Sequence, residues 1–151
     1  ARLKGVERSV ELVSDVLPKI VDSFSYNDIT LICSTHKTGH QIVEKLDKKG
    51  IKTAHIFGDS NTQDSLKMNF TLTKEKIKIS TVHSFKGFES PLILYFMEKN
   101  IPFEEAYTAL TRLRLSQNNS SHIKVVCIDP KYHKYGETWS PAEGSEWLNL
   151  D

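Results

Sequence analysis

The sequence predicts an α/β domain whose sheet is mostly parallel and is flanked by helices. Short apolar segments rich in β-branched residues alternate with amphipathic segments, as in strand–helix–strand units. Several of the strand segments are nearly continuous apolar runs, which indicates strands that are buried on both faces. The chain has 151 residues, of which 38% are hydrophobic and 26% are charged, enough for one domain with a sizeable core.

Five segments are predicted to be strands because they are short, apolar and bounded by polar residues. They span residues 28–34, 51–57, 77–82, 91–97 and 123–129. Residues 58–76 are polar and have no clear period, so they are predicted to form a loop that contains at most a short helix.

Three segments have the period of an amphipathic helix. The first covers residues 6–21, with Pro18 as a kink or break. The second covers residues 37–50. The third covers residues 102–116, and Pro102 suits its first turn because the amide hydrogen that proline lacks has no partner there.

The chain is predicted to consist of an N-terminal helical segment (1–24), the α/β domain (25–129) and a C-terminal tail (130–151). Residues 129–151 hold five acidic and two basic residues, which leaves 18 basic and 14 acidic residues upstream. This positive excess permits a polyanionic partner without requiring one. No apolar run approaches the roughly 20 residues that span a bilayer, so we expect no membrane partner and a cytoplasmic location.

The two cysteines, Cys33 and Cys127, lie in apolar strand segments and are expected to be buried, reduced thiols. Cys33, His36 and His40 are close enough in sequence to suggest a metal site. However, Cys33 is expected to face the core and no fourth ligand is evident, so no metal is predicted.

Polar clusters follow two of the predicted strands. STHKTGH (34–40) follows the first strand, and HSFKGFE (83–89) follows the third. Because ligands of parallel sheets bind beyond the carboxyl ends of the strands, we expect both clusters to line a binding site. None of the seven glycines is followed by Lys, so the sequence contains no G-x-x-x-x-G-K-[ST] phosphate loop. If this chain handles ATP, it supplies only part of the site.

The third predicted helix contains YTALTRLR (107–114). Arg112 and Arg114 are two residues apart, roughly 200° around a helix axis, so one of them can reach a ligand while the other faces elsewhere. A solvated basic helix end would explain the same pattern without any ligand.

Together these two stretches carry a family resemblance. ISTVHSFKGFESPLIL (79–94) resembles motif V of UvrD/Rep-like superfamily-one helicases, and YTALTRLR (107–114) is similar to their motif VI. The resemblance covers residues 28–129 and implies the second RecA-like domain of a DNA helicase. By this resemblance, the full-length protein binds ATP with Mg²⁺ between this domain and an N-terminal RecA-like domain that holds the phosphates.

The resemblance also implies roles for individual residues. Arg112 matches the arginine finger that reaches the γ-phosphate, a position where a rigid guanidinium neutralises charge in phosphoryl transfer. Glu89 matches the carboxylate that binds the ribose, and Gly87 lets the backbone approach a ligand. Residues expected to contact the backbone of single-stranded DNA are Thr81, His83 and Ser84, with Thr35, His36 and Lys37 as weaker candidates.

Some roles remain open. Phe85 either stacks on a base or is buried under the sheet edge. Thr35 either contacts nucleic acid or caps the following helix. RNA is less favoured than DNA because Lys precedes Gly87, where RNA-acting relatives more often have Gln. Three alternatives are an ATPase or translocase that unwinds no duplex, a non-catalytic binding module and a flavodoxin-like nucleotide-binding domain.

Overall fold

The computed structural model describes residues 25–57, 61–72, 75–85, 88–98, 100–112 and 122–127, together with Glu11 and Asp15. Its five strands are β1 (Ile29–Cys33), β2 (Thr53–His55), β3 (Ile77–Thr81), β4 (Leu92–Met97) and β5 (His122–Cys127). Its helices are α1 (His36–Lys48), α2 (Gln63–Leu72) and α3 (Phe103–Leu110), and a 3₁₀ turn over Tyr26–Asp28 precedes β1.

All five strands are parallel and lie in the order β2-β3-β1-β4-β5. The central strand β1 pairs with β3 through Leu31 and Ile79 and with β4 through Leu31 and Leu94. In a parallel sheet, each connection returns from the carboxyl end of one strand to the amino end of the next across one face of the sheet. Such crossovers are almost always right-handed, so the position of the next strand, to one side or the other, determines which face the connection covers. This is the RecA-like α/β arrangement that the sequence predicts, and the prediction of the fold is confirmed.

The two faces of the sheet carry separate halves of the core because side chains alternate along each strand. On one face, Leu31 and Leu94 pack with Ile42 and Leu46 of α1. On the other face, Ile32 and Tyr95 pack with Phe70 of α2 and Ala106 of α3. Both sides of β1 and β4 are therefore fully covered, which explains why these strands are almost entirely apolar.

Helix α1 has well-defined ends. Thr35 is the N-cap, and its hydroxyl oxygen accepts a hydrogen bond from the Thr38 amide. At the other end, Gly50 has φ +74°, its amide donates to Asp47 O, and the Ile51 amide donates to Leu46 O. This is a Schellman ending, and Gly50 is needed because a side chain would strain the left-handed backbone.

The strand predictions hold with small shifts at their ends, and the helix predicted over 102–116 is observed as Phe103–Leu110. The region expected to be mainly loop contains the ten-residue helix α2. The predicted helix over 6–21 and the tail 130–151 lie outside the described residues, apart from Glu11 and Asp15. Lys45 of α1 forms an ion pair with Glu11 at 3.2 Å, so the N-terminal segment touches α1 at that point.

No helix among the described residues is long and apolar enough to cross a bilayer. Cys33 is fully buried with a free thiol, as predicted. The side chain of Cys127 lies outside the described part of the chain.

Gly39, in the first turn of α1, gives Phe57 room to pack. A β-carbon at position 39 would lie 2.2 Å from Cζ of Phe57, and two more ring atoms would lie within 2.9 Å. The ring of Phe57 is itself almost completely buried. The missing side chain at position 39 is therefore a packing requirement of the α1–β2 contact.

Gly39→Ala should lower the free energy of unfolding by about 1 to 2 kcal/mol, because overpacking outweighs the helix propensity that alanine gains. Urea unfolding measures this loss. In a Phe57→Leu background, where the ring is gone, the same substitution should cost less. Equal costs in both backgrounds would show that the ring does not set the requirement for glycine.

Candidate functional site

The segment between β3 and β4 runs along the sheet from the carboxyl ends of the strands to their amino ends. At its start, the Val82 amide donates to Cys33 O at 3.1 Å, at the carboxyl ends of β1 and β3. At its end, the Ser90 hydroxyl donates to Asp28 O at 2.8 Å, at the amino end of β1. We call these two sides the carboxyl edge and the amino edge of the sheet. Five residues of β1 separate them by about 15 Å.

At the carboxyl edge, Thr81, His83 and Ser84 lie in a tight turn after β3. Thr81 is buried, and its hydroxyl oxygen accepts a hydrogen bond from the Ser84 amide at 3.3 Å. His83 is exposed and Ser84 is partly exposed. Thr81 therefore shapes the turn, whereas His83 and Ser84 are the residues that an external ligand can reach.

Thr35 and Lys37 lie at the same edge, in the turn from β1 into α1. Lys37 is exposed, and no acidic side chain among the described residues forms an ion pair with it. Thr35 caps α1, which is one of the two roles that its sequence position allowed. The pairing of β1 with β3 brings this turn next to the one that contains His83, because Cys33 is paired with Thr81.

Glu98, which follows β4, also belongs to this edge and was not identified from the sequence. Its carboxylate accepts hydrogen bonds from the Ser34 amide at 3.1 Å and from the Thr35 hydroxyl at 3.3 Å. The Thr38 hydroxyl donates to the same oxygen as Thr35. A hydroxyl has one proton, so the proton of Thr35 is already used within the chain.

At the amino edge, Glu89 and Arg112 lie near each other. The Ser90 amide donates to Arg112 O at 3.2 Å, which places the residue after Glu89 directly against the backbone of Arg112. Glu89 is exposed and Arg112 is partly exposed, so neither side chain is sealed inside the core. Nε of Arg112 lies 3.4 Å from Thr108 O, a bond that orients the guanidinium along the end of α3.

This placement corrects one expectation. The whole cluster HSFKGFE was expected at a carboxyl strand end, but Glu89 lies at the amino edge. The reason is that the cluster spans most of the crossing segment and continues beyond the turn after β3. Gly87 lies outside the described residues, as does Arg114.

Aromatic packing holds the middle of the crossing segment. The rings of Phe85 and Phe88 stack at 5.8 Å between centroids, and Phe70 of α2 meets them edge-on at 6.3 and 5.6 Å. Phe85 is 1% exposed. The alternative of burial is therefore the one that holds for Phe85, and its ring cannot stack on a base.

Cys33 is an inert thiol. Burial raises its pKa to about 12, and the nearby carboxylate of Glu98 adds to the rise. No group of three or more metal-ligating side chains is found among the described residues. His36 and His40 instead pack around Phe57, at 5.5 and 5.3 Å between ring centroids.

His55 stacks on the same ring at 5.1 Å, and its Nδ1 accepts a hydrogen bond from the Phe57 amide at 3.2 Å. Burial lowers the pKa of His55, and His40, whose ring lies 5.7 Å away, lowers it further, while Asp47 acts in the opposite direction. The folded state therefore binds a proton at His55 less readily than the unfolded chain does.

Acidification should destabilise the fold through His55. Its contribution is complete above the unfolded pKa of 6.5 and is lost as the pH falls through the lower folded value. Urea unfolding at pH 7.5 and 5.5 should show a drop in stability that is smaller in His55→Asn, whose side-chain oxygen replaces Nδ1 as the acceptor. Parallel pH profiles for the two proteins would exclude His55 as the source.

Comparisons with known proteins agree with this fold. The helicase domain of Hef from Pyrococcus furiosus is similar with a TM-score of 0.58 at 15% identity, over 88% of this chain and 27% of that one. The C-terminal part of the ATPase domain of Fun30 is similar with a TM-score of 0.62 at 16% identity, over 95% and 46%. This chain thus spans less than half the length of either. No family model matches the sequence, and no curated protein does.

Proposed function

We propose that this chain is the second RecA-like domain of a nucleic-acid-dependent ATPase, and specifically the motor half of a UvrD/Rep-like DNA helicase. One observation carries the proposal: a single short segment contributes His83 and Ser84 to one edge of the sheet and brings Glu89 next to Arg112 at the other. In a motor that couples ATP hydrolysis to movement on a strand, the first pair would contact the nucleic acid and the second pair would contact the nucleotide. The similar solved structures are a helicase domain and an ATPase domain, which supports the same class.

The nucleotide site would be shared. In this proposal an N-terminal RecA-like domain holds the phosphates and Mg²⁺ of ATP, since this chain has no phosphate loop. Glu89 binds the ribose, and the guanidinium of Arg112 reaches the γ-phosphate from the amino edge. Arg112 is suited to this role because its backbone and its Nε are held by hydrogen bonds. The two terminal nitrogens of its guanidinium are left to bind a phosphate.

The nucleic-acid site would lie along the carboxyl edge. His83 and Ser84 donate hydrogen bonds to the phosphates of single-stranded DNA, and Lys37 adds a positive charge that no described carboxylate neutralises. Such contacts read no sequence. Closing and opening of the ATP cleft at the opposite edge then moves this surface along the strand.

Arg112→Ala in the full-length protein should lower the DNA-stimulated rate of ATP hydrolysis by about 10³-fold or more, because charge that develops on the γ-phosphate loses its counter-charge. Arg112→Lys should restore little of this rate, since an ammonium group lacks the planar fork. Lys52→Ala removes an exposed positive charge elsewhere and serves as the control.

Unchanged hydrolysis in Arg112→Ala would contradict the proposal and favour a binding module. A strand-displacement assay on the wild-type protein separates the remaining alternatives. Hydrolysis of ATP without release of a strand would indicate a translocase, and tighter binding of an RNA strand than of DNA would replace the predicted substrate.

His83→Ala should weaken binding of single-stranded DNA by the full-length protein by about fivefold, the effect of one lost phosphate hydrogen bond. The loss should be the same for different base sequences. Fluorescence anisotropy at fixed salt measures it, and Lys76→Ala, just before β3 at the amino edge, removes a charge away from the proposed surface. Equal losses in both variants would argue against the carboxyl edge as the binding surface.

A further inference from the structure

Glu98 makes three hydrogen bonds to one turn of the chain, and the proposed function does not use it. The donors are the Ser34 amide and the hydroxyls of Thr35 and Thr38. All three lie 60 to 64 residues earlier in the sequence, where β1 leads into α1. The contact therefore joins the end of β4 to the start of α1.

We propose that Glu98 is a positioning residue, which holds the β1–α1 turn in the conformation that receives single-stranded DNA. This inference rests on the proposed function, because it concerns the same carboxyl edge. Lys37 is two residues after Thr35, in the first turn of α1, so the direction of its side chain depends on how that turn is fixed.

The three donors around Glu98 explain why a carboxylate is needed at this position. Oε2 accepts from the Ser34 amide, and Oε1 accepts from both hydroxyls. A glutamine at this position keeps only one acceptor oxygen, and its amide nitrogen would face a donor. An alanine keeps neither oxygen. The negative charge also lies at the amino end of α1, where free backbone amides and the helix dipole favour an anion.

These hydrogen bonds also change the role expected for Thr35. Its oxygen accepts from the Thr38 amide, and its single proton has the Glu98 carboxylate and the Thr38 hydroxyl as alternative acceptors. With this network intact, Thr35 has no proton for a phosphate oxygen. Its contribution to the carboxyl edge is to the shape of the turn, and the exposed Lys37 is the group that meets the strand.

Binding measurements on the full-length protein test the proposal. Glu98→Ala should weaken binding of an oligo-dT strand by about 5- to 10-fold, and Glu98→Gln by less, while KM for ATP stays unchanged. Glu104→Gln is the matched control: it removes the same charge from an exposed site on α3 whose side chain forms no hydrogen bond to this turn. A loss of overall stability would change both constants together.

The direction in which Glu98→Ala changes the affinity for DNA distinguishes a positioning role from simple charge repulsion. If Glu98 acted only by repelling phosphate, its removal would tighten binding, and binding by Glu98→Ala that equals or exceeds the wild type would overturn the proposal. Hydrogen exchange supplies a second readout, because the Thr38 and Gly39 amides are bonded within this turn. They should exchange faster in Glu98→Ala.

Failure of the proposed function gives a different pattern. If the wild-type protein binds neither DNA nor RNA strands, the assignment of the carboxyl edge fails. Hydrogen exchange then decides whether Glu98 positions the turn, and unchanged exchange in Glu98→Ala would overturn that role.

Discussion

The packing of Phe85 and Phe88 against Phe70 is the contact on which both the carboxyl edge and the amino edge of the sheet depend. The described residues between β3 and β4, 82–85 and 88–91, form no helix that would define a path across the sheet. Two phenyl rings packed over α2 define it instead, and complete burial of one such ring contributes about 1.5 to 3 kcal/mol. Because Phe85 and Phe88 are held by this packing, the polar residues before the first ring and after the second lie at opposite ends of the strands.

The parallel sheet explains why Glu89 and Arg112 meet. Every connection in such a sheet starts at a carboxyl end and must finish at an amino end. The segment between β3 and β4 makes one such crossing and ends near Glu89, whereas α3 makes the next crossing and ends near Arg112. Both crossings lie on the same face, since Phe88 and Ala106 belong to one apolar cluster. Two residues that are far apart in sequence are therefore neighbours at the amino edge.

The sequence predicted most of the sheet because β1 and β4 are buried at every position and so are almost entirely apolar, and β3 is buried at every position except Lys78. It overestimated β2, which is an edge strand and pairs with β3 over three residues. It underestimated α2, whose pattern is weak because Leu66 and Phe70 contact the core while Met68 is 67% exposed. Glu89 was assigned to the wrong edge because the local sequence does not show at which residue a connection passes from the carboxyl ends of the strands to their amino ends.

Glu98 shows what local patterns cannot reveal. A single glutamate after a strand has the same appearance in sequence whether it is solvated or bonded. The register of β1 with β4 makes the difference: Cys33 is paired with Phe96, so the residues that follow each strand, Ser34 and Glu98 among them, emerge side by side. The hydrogen bonds at the start of α1 are thus a consequence of strand pairing, and the turn that carries Lys37 is only as well ordered as the ladder between these two strands.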